Sequence, residues 1–342
     1  MLHSQLNRTF APMEIEEPLV VIAGAGTFGT ALGNTLAANR AITVRLLTIE
    51  KEVEAGINNT RINPVYFPNS TLRKRLKATA DLTILEKAQF LILAIPSAAC
   101  VSYMEEIRPY LKPDTIVINT AKGFGEGNVI ICEHIEKHFP NPVAALKGPS
   151  FAIELLNWMP TAFTFASRDI ATYNAFLALL PDTKLHVEFS TDVRGVELLS
   201  ILKNMYAIIL GVIDAHYNSA NVRFLVLTKV FKEMRKVLMT FGGESETILN
   251  FCGYGDFGLT SINDLSRNRT MGLLIGKGFI KDMVSENIVL EGKRTLSVFY
   301  SKIAEEKMGI NAIRNFPILL ELYKLFYKDY DQRKFVMNVI NA

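Results

Sequence analysis

The sequence has few cysteines, no large excess of either charge, and no apolar run long enough to cross a membrane. Its three cysteines, Cys100, Cys132 and Cys252, lie far apart and show no spacing typical of zinc or redox sites. We therefore expect reduced, structural thiols and no metal site. The net charge of +3, from 37 basic and 34 acidic residues, argues against general nucleic-acid binding, which needs a strongly basic surface.

The most apolar runs, residues 90–95 and 206–213, are well short of the ~20 residues of a membrane-spanning helix. Residues 1–18 lack the apolar stretch of a secretory signal and predict a flexible extension. These absences predict a cytoplasmic protein without a transmembrane segment. The chain has 342 residues, of which 49% are apolar. That is enough for two domains and an oligomer interface, and we expect a homodimer.

Short apolar runs alternate with helical segments over the first half of the chain. Residues 18–23 predict a strand buried on both faces, residues 30–38 a helix, and Thr43–Leu47 a second strand. Further strands are predicted at residues 90–95, 115–119, 143–146, 161–166 and 185–189. This alternation predicts the α/β class, with a doubly wound, mostly parallel sheet.

Helical spacing replaces the strand signal near residue 191, with long helices predicted at residues 195–215 and 222–241. The change predicts a dinucleotide-binding Rossmann domain at residues 19–190 and an all-helical substrate domain at residues 191–342, after the extension at residues 1–18.

A glycine-rich turn, Gly24-x-Gly26-x-x-Gly29, lies between the first predicted strand and helix. The first glycine permits a tight turn, the second lets the backbone approach a pyrophosphate, and the third allows close helix–strand packing. The turn predicts a dinucleotide site. The alternatives are an ordinary glycine-rich turn without a ligand and the glycine-rich cofactor loop of a methyltransferase.

Two loops follow predicted strands, at the sheet edge where ligands of open α/β folds bind. One contains Lys122, and the other runs from Lys147 through Gly148 to Ser150. Small residues there would let backbone and hydroxyl donors approach a ligand. From spacing alone, Lys122 and Lys147 could equally be solvated loop lysines.

Lys203 is the single charged residue of the apolar stretch at residues 198–213. It either reaches the surface or is held in a low-dielectric site. Burial would lower the pKa of its ammonium group, which suits a proton donor or acceptor near neutral pH. The amide of Asn204 beside it could hydrogen-bond a ligand.

The stretch Ser266-Arg267-Asn268-Arg269 precedes a predicted helix and follows a glycine-rich loop that contains Asp256. Arginine presents a planar fork that matches phosphate oxygens. A helix start adds amide donors and a favourable dipole. The stretch therefore predicts a site for a compact dianion, with a solvated capping turn as the alternative.

Taken together, these segments resemble the soluble NAD(P)-dependent glycerol-3-phosphate dehydrogenase family, especially its bacterial branch. The matching segments occur in the family's order from about residue 20 to the C-terminus: GAGTFGTAL, TRINPVYFPN, LAIPS, AKG, LKGPSFAIE, GVELLSILKNMYAI, GYGDFGLT, SRNRTMG and LEG. The resemblance implies reversible hydride transfer between NAD(P)H and dihydroxyacetone phosphate. The product, sn-glycerol 3-phosphate, would serve glycerophospholipid synthesis.

The resemblance also implies roles for individual residues. Three residues would be catalytic. Lys203 would be the proton acceptor in the oxidation, Lys122 would contact substrate and cofactor, and Asp256 would orient the lysine and the substrate hydroxyls. The substrate would further be bound by Gly148, Ser150, Ser266, Arg267 and Asn268. The cofactor would be bound by Gly24, Gly26, Thr27, Phe28, Gly29, Lys122, Ala152, Arg267, Val289 and Glu291.

Two departures from the family pattern concern the cofactor. Phe28 stands where the family usually has tryptophan, and Thr48, Ile49 and Glu50 stand where bacterial members often carry arginine or histidine. These residues are expected to lie near the ribose, and without a basic residue there NADH is weakly favoured over NADPH. The alternative is that Thr48, or Lys51 from the following turn, contacts a 2′-phosphate. Two alternatives stay open: a catalytically silent dinucleotide-binding paralogue, and a related two-domain dehydrogenase for another phosphorylated or acidic substrate.

Overall fold

The structure, a computed structural model, describes residues 17–279, 286–303, 312–328 and 330–342, without the side chains of residues 286–293 and 312. The predicted flexible extension at residues 1–18 therefore lies almost wholly outside the described residues. Eight strands form one sheet: β1 Leu19–Ala23, β2 Thr43–Leu47, β3 Lys77–Thr79, β4 Phe90–Leu93, β5 Ile116–Asn119, β6 Val143–Lys147, β7 Thr161–Ala166 and β8 Leu185–Ser190.

The strand order is β3-β2-β1-β4-β5-β6-β7-β8. The first six strands are parallel and follow the Rossmann order. Strand β1 pairs with β2 on one side and with β4 on the other. The prediction of a doubly wound α/β sheet is confirmed, with one difference. Strand β7 runs antiparallel to β6, and β8 is parallel to β7. Only a short helix lies between β6 and β7, and the chain returns beside β6 in the opposite direction.

Thirteen α-helices are described: α1 Thr27–Leu36, α2 Lys51–Ala55, α3 Cys100–Ile107, α4 Ile131–His138, α5 Ala152–Leu156, α6 Ile170–Leu177, α7 Val193–His216, α8 Ala220–Thr240, α9 Asp256–Ile262, α10 Arg267–Gly276, α11 Glu286–Ser301, α12 Pro317–Tyr327 and α13 Gln332–Asn341. From residue 191 onward the described chain contains helices and no strand. The last strand ends at Ser190 and α7 begins at Val193, but the division into domains at residue 190 stays a prediction.

Apolar side chains cover both faces of the sheet. Val21 and Leu91 point to the face that packs against α7, and Val20 and Ile92 point to the face that packs against α1. Helix α7 starts where the Asp192 carboxylate accepts a hydrogen bond of 2.8 Å from the Gly195 amide. In this fold, α7 serves both as a wall of the Rossmann core and as the centre of the helical half.

Among the described residues, α7 is the one helix long and apolar enough to cross a membrane by length and composition. Its most apolar window has a mean hydropathy of 1.8, and 94% of that window is buried inside the protein. This burial is the pattern of a core helix.

Two glycines let α7 and α10 cross in direct backbone contact. A Cβ atom on Gly211 would lie 2.1 Å from the Arg269 carbonyl oxygen, and one on Gly272 would lie 2.0 Å from the Ile208 carbonyl oxygen. Both distances are far below van der Waals contact, so neither position has room for a side chain. The crossing fixes the start of α10 relative to α7.

Gly272→Ala should destabilise the protein by about 1–3 kcal/mol, because the added methyl group forces the two helices apart. Unfolding in urea measures the change. Gly258→Ala on α9 is the matched control, since a Cβ there meets nothing within 4 Å and alanine has the higher helix propensity. Equal stability of the two variants would show that the crossing tolerates a side chain.

Candidate active site

Lys203, Lys122 and Asp256 form one hydrogen-bonded group. The Lys203 ammonium donates a short hydrogen bond to Asp256 Oδ1, and the Lys122 ammonium donates one of 3.0 Å to Asp256 Oδ2. Lys203 also donates to Thr260 Oγ1 at 3.0 Å. One carboxylate therefore holds two amines side by side.

These three side chains come from three elements of the fold. Lys203 lies in the interior of α7 and Asp256 is the first residue of α9. Lys122 follows β5, at the carboxyl end of the parallel strands. Lys203 and Asp256 are 4% and 1% exposed, whereas 26% of the Lys122 side chain is exposed. The group is thus open to solvent on the Lys122 side alone.

The surroundings of Lys203 change the pKa of its ammonium group. Burial lowers the pKa of its ammonium group, and the positive charge of Lys122 lowers it further. The Asp256 carboxylate opposes both effects, and the resulting pKa is about 7. An amine with this pKa is present in both protonation states at neutral pH, as a proton donor and acceptor requires.

The loop after β6 closes one side of this group. The carbonyl oxygen of Gly148 accepts hydrogen bonds from the Lys122 ammonium at 3.2 Å and from the Ser150 hydroxyl at 3.0 Å. A Cβ atom on Gly148 would lie 2.3 Å from the carbonyl oxygen of Ala162 on β7. The glycine therefore lets the loop lie directly on the sheet beside Lys122.

The glycine turn between β1 and α1 has the geometry of a pyrophosphate site. Gly24 has a φ of +104°, which favours glycine. A Cβ atom on Gly29 would lie 2.0 Å from the Gly24 carbonyl oxygen, whereas one on Gly26 meets nothing within 4 Å. Open space therefore lies in front of Gly26, at the N-terminus of α1, where backbone amides and the helix dipole favour an anion. These residues fit a bound dinucleotide.

The remaining predicted cofactor residues lie around this turn or on α11. Thr27 is exposed and Phe28 half-buried, with the Phe28 ring edge-on to Phe163 at 6.4 Å between centroids. Ala152 begins α5, which packs along α1. Val289 and Glu291 lie on α11, and their side chains are outside the described part of the structure.

Beyond β2, the residues predicted to lie near the ribose carry no basic group. The Thr48 hydroxyl accepts a hydrogen bond of 3.1 Å from the Glu50 amide, and Ile49 is 98% exposed. The Glu50 carboxylate accepts a hydrogen bond of 3.3 Å from the Tyr66 hydroxyl. An acidic group is thus held in place near the end of the strand.

The predicted phosphate residues lie at the start of α10. The Ser266 hydroxyl caps the helix by accepting a hydrogen bond of 3.3 Å from the Arg269 amide. Arg267 is exposed and Asn268 half-buried. Arg269 has a structural role, because its guanidinium is buried and donates to Asp214 on α7 at 2.8 Å. The turn therefore combines a helix cap with an outward-facing arginine.

Sequence reasoning missed two residues of this region, Thr260 and Asn63, and left the burial of a third, Lys147, undecided. Thr260 lies one helical turn after Asp256 in α9, and this spacing could have revealed it. The Asn63 side chain is fully buried and donates to the Ala25 carbonyl oxygen at 2.9 Å, which supports the glycine turn. Lys147 is fully buried at the end of β6, so the interpretation of Lys147 as a solvated loop lysine is wrong.

Comparison with known proteins identifies the family. Residues 19–173 match the family described as NAD-dependent glycerol-3-phosphate dehydrogenase N-terminus, and residues 192–337 match the corresponding C-terminus. The chain belongs to this family. The resemblance found in the sequence motifs is therefore confirmed over nearly the whole described chain.

Individual members of the glycerol-3-phosphate dehydrogenase family agree with this assignment. A protein of Leptospira biflexa named as an NAD(P)+ glycerol-3-phosphate dehydrogenase is 33% identical over 324 residues, or 92% of this chain and 95% of that protein. One of Methanothermobacter thermautotrophicus is 35% identical over 81% of this chain and 86% of that protein. The crystal structure of glycerol-3-phosphate dehydrogenase from Coxiella burnetii superposes with a TM-score of 0.82 at 26% identity, covering 95% of this chain and 99% of that one.

Proposed function

We propose that this member of the glycerol-3-phosphate dehydrogenase family interconverts dihydroxyacetone phosphate and sn-glycerol 3-phosphate with a nicotinamide cofactor. The observation that carries the proposal is the Lys203–Asp256–Lys122 group, which lies beyond the carboxyl end of β5 in the same fold as the glycine turn. The group supplies a buried proton donor beside a second positive charge. Both are needed where a carbonyl becomes an alkoxide.

Each residue of the group has a distinct task in the reduction. When bound, the reduced nicotinamide supplies a hydride to C2 of the ketone. Lys203, as an ammonium ion, donates its proton to the carbonyl oxygen as negative charge develops there. Lys122 places a second positive charge near that oxygen, and Asp256 orients both amines. In the oxidation, the neutral amine of Lys203 takes the hydroxyl proton back.

The start of α10 supplies the site for the substrate phosphate. Arg267 offers a guanidinium fork, and Asn268 and the helix N-terminus add neutral donors. Ser266 fixes the turn by capping it. The direct backbone crossing at Gly211 and Gly272 holds this turn against α7, so the phosphate would be held at a set distance from Lys203.

The cofactor would lie across the glycine turn. Gly24, Gly26 and Gly29 would admit the pyrophosphate, and Thr27, Phe28 and Ala152 would line the pocket around it. We further infer that NADH is preferred to NADPH, because the Glu50 carboxylate would repel a 2′-phosphate.

A role in supplying the glycerophospholipid backbone follows from the proposed product. A homodimer and a location in the cytoplasm also stay predictions for this chain.

A catalytically silent paralogue is disfavoured, because Lys122, Lys203, Asp256, Arg267 and Asn268 are all present. Lys122 and Lys203 both donate hydrogen bonds to Asp256.

Lys203→Ala should lower the turnover of dihydroxyacetone phosphate by about 100-fold or more, since a positioned acid is lost. Turnover is measured as NADH oxidation by the purified protein, and NADH affinity, by fluorescence titration, should stay close to wild type. Lys232→Ala, at an exposed position on α8, is the control. Near-wild-type turnover of folded Lys203→Ala protein would contradict the assignment, and an inactive wild type would favour the silent paralogue.

The pH dependence gives an independent readout of the same residue. The reduction needs the ammonium form of Lys203, so kcat/KM should be constant below about pH 7 and fall as pH rises through the pKa of about 7. The oxidation needs the free amine and should show the opposite slope. Profiles with the same slope in both directions would exclude Lys203 as the group that exchanges the proton.

Arg267→Ala should reduce kcat/KM for dihydroxyacetone phosphate by about 10- to 100-fold, the worth of a charge-assisted hydrogen bond to phosphate. The value for unphosphorylated dihydroxyacetone should change little. The two specificity constants are compared in variant and wild type, so the unphosphorylated ketone serves as the internal control. Equal losses for both substrates would mean that Arg267 does not bind the phosphate.

The ratio of kcat/KM for NADH over NADPH should be about 10 in the wild type, which corresponds to ~1.4 kcal/mol. Glu50→Gln should lower this ratio by removing the charge that repels a 2′-phosphate. Glu52→Gln makes the same change in charge at an exposed position two residues further on and should leave the ratio unchanged. A wild type that favours NADPH would refute the inference drawn from Thr48, Ile49 and Glu50.

A further inference from the structure

Lys147 is a charged residue placed where the fold has no solvent. It is the last residue of β6 and is 0% exposed. Burial lowers the pKa of its ammonium group, and the nearby positive charge of Lys122 adds to this effect. A fully buried lysine is costly unless its donors are satisfied. The contacts that satisfy it indicate what it does.

The ammonium group of Lys147 holds the peptide next to Lys122. It donates a hydrogen bond of 2.5 Å to the carbonyl oxygen of Ala121. On the other side, the amide of Ala121 donates 2.9 Å to the side-chain oxygen of Asn119. Ala121 is thus held through both its N–H and its C=O, directly before the lysine that contacts Asp256.

Glu197 on α7 balances the buried charge. Its Oε1 lies 3.9 Å from the Lys147 ammonium and accepts a short hydrogen bond from the Asn119 side chain. Its Oε2 accepts 2.9 Å from the Cys132 amide at the start of α4. Burial raises the pKa of this carboxyl, whereas Lys147 and these donors lower it.

We propose that Lys147 is a positioning residue, which fixes the Ala121 peptide and thereby holds Lys122 against Asp256. The proposal rests on the function proposed above. Lys147 touches neither Asp256 nor Lys203 and acts through Lys122 alone. Its counter-charge Glu197 belongs to the helix that carries Lys203 and stabilises the buried charge, whereas the hydrogen bond to Ala121 does the positioning.

Lys147→Met tests the proposal, because methionine keeps the length of the side chain and removes the donor to Ala121. We expect kcat to fall about 10- to 100-fold, with KM for NADH within about twofold of wild type. Once Lys122 is no longer held beside Asp256, its positive charge would lower the pKa of Lys203 less. The pH midpoint of the reduction should therefore move upward.

Glu197→Gln is the matched control, since it breaks the same ion pair and leaves Lys147 able to donate to Ala121. This variant should lose stability, because a buried carboxylate and its bond to α4 are weakened. Its kcat should stay within about threefold of wild type, and its pH midpoint should not move. If kcat instead falls in both variants in proportion to their loss of stability, Lys147 is only structural and the proposal is overturned.

The double variant Lys147→Met/Glu197→Gln keeps the test decisive even where a single variant folds poorly. Removing both charges should restore melting temperature relative to Lys147→Met, since no unpaired charge stays buried. Its kcat should remain low, because the donor to Ala121 is still missing. Recovery of kcat together with stability would overturn the proposal. An inactive wild type, by contrast, would refute the proposed function itself.

Discussion

A single buried carboxylate, that of Asp256, organises the candidate active site. It forms ion pairs with two lysines that would otherwise repel each other more strongly, and it is itself almost fully buried. Removing such charges from water is costly, and their mutual attraction offsets the cost only when the geometry is good. The sheet edge, α7 and α9 must therefore meet with little freedom, since each contributes one member of the group.

Helix α7 meets this requirement by being buried along almost its whole length. It forms a wall of the sheet's core, carries Lys203, and crosses α10 at Gly211 with no side chain between the backbones. The buried ends of Arg269 and Asp214 add a second link at the same crossing. The parts of the site that belong to the helical half are thus tied to the strands through one rigid element.

Most of the fold could be predicted from the sequence, because buried parallel strands read as short apolar runs and α7 as a long one. Strand β3 was missed, since three residues with one buried side chain carry no detectable period. The reversed direction of β7 was also missed. Strand direction depends on how the connecting chain packs, and the pattern within a strand does not record it.

Within the candidate site, isolated charges could be recognised from the sequence, whereas their buried partners could not. Lys203 was recognisable because it interrupts an apolar helix. Lys147 was not, because a lysine at the end of a strand has the same local pattern whether it is solvated or covered. Its burial depends on Glu197, fifty residues later in the chain, and long-range charge pairs leave no signal in local spacing.

The turn at the start of α10 separates two kinds of arginine within three positions. Arg269 is buried at the helix crossing and donates to Asp214, whereas Arg267 is exposed and has no hydrogen bond or ion pair among the described contacts. Substitution of Arg267 should therefore change the free energy of unfolding little, whereas substitution of Arg269 should lower it. If the proposed roles hold, substitutions at Arg267 and Asn268 would change how the anionic end of the substrate is bound, without disturbing the contacts of Lys203.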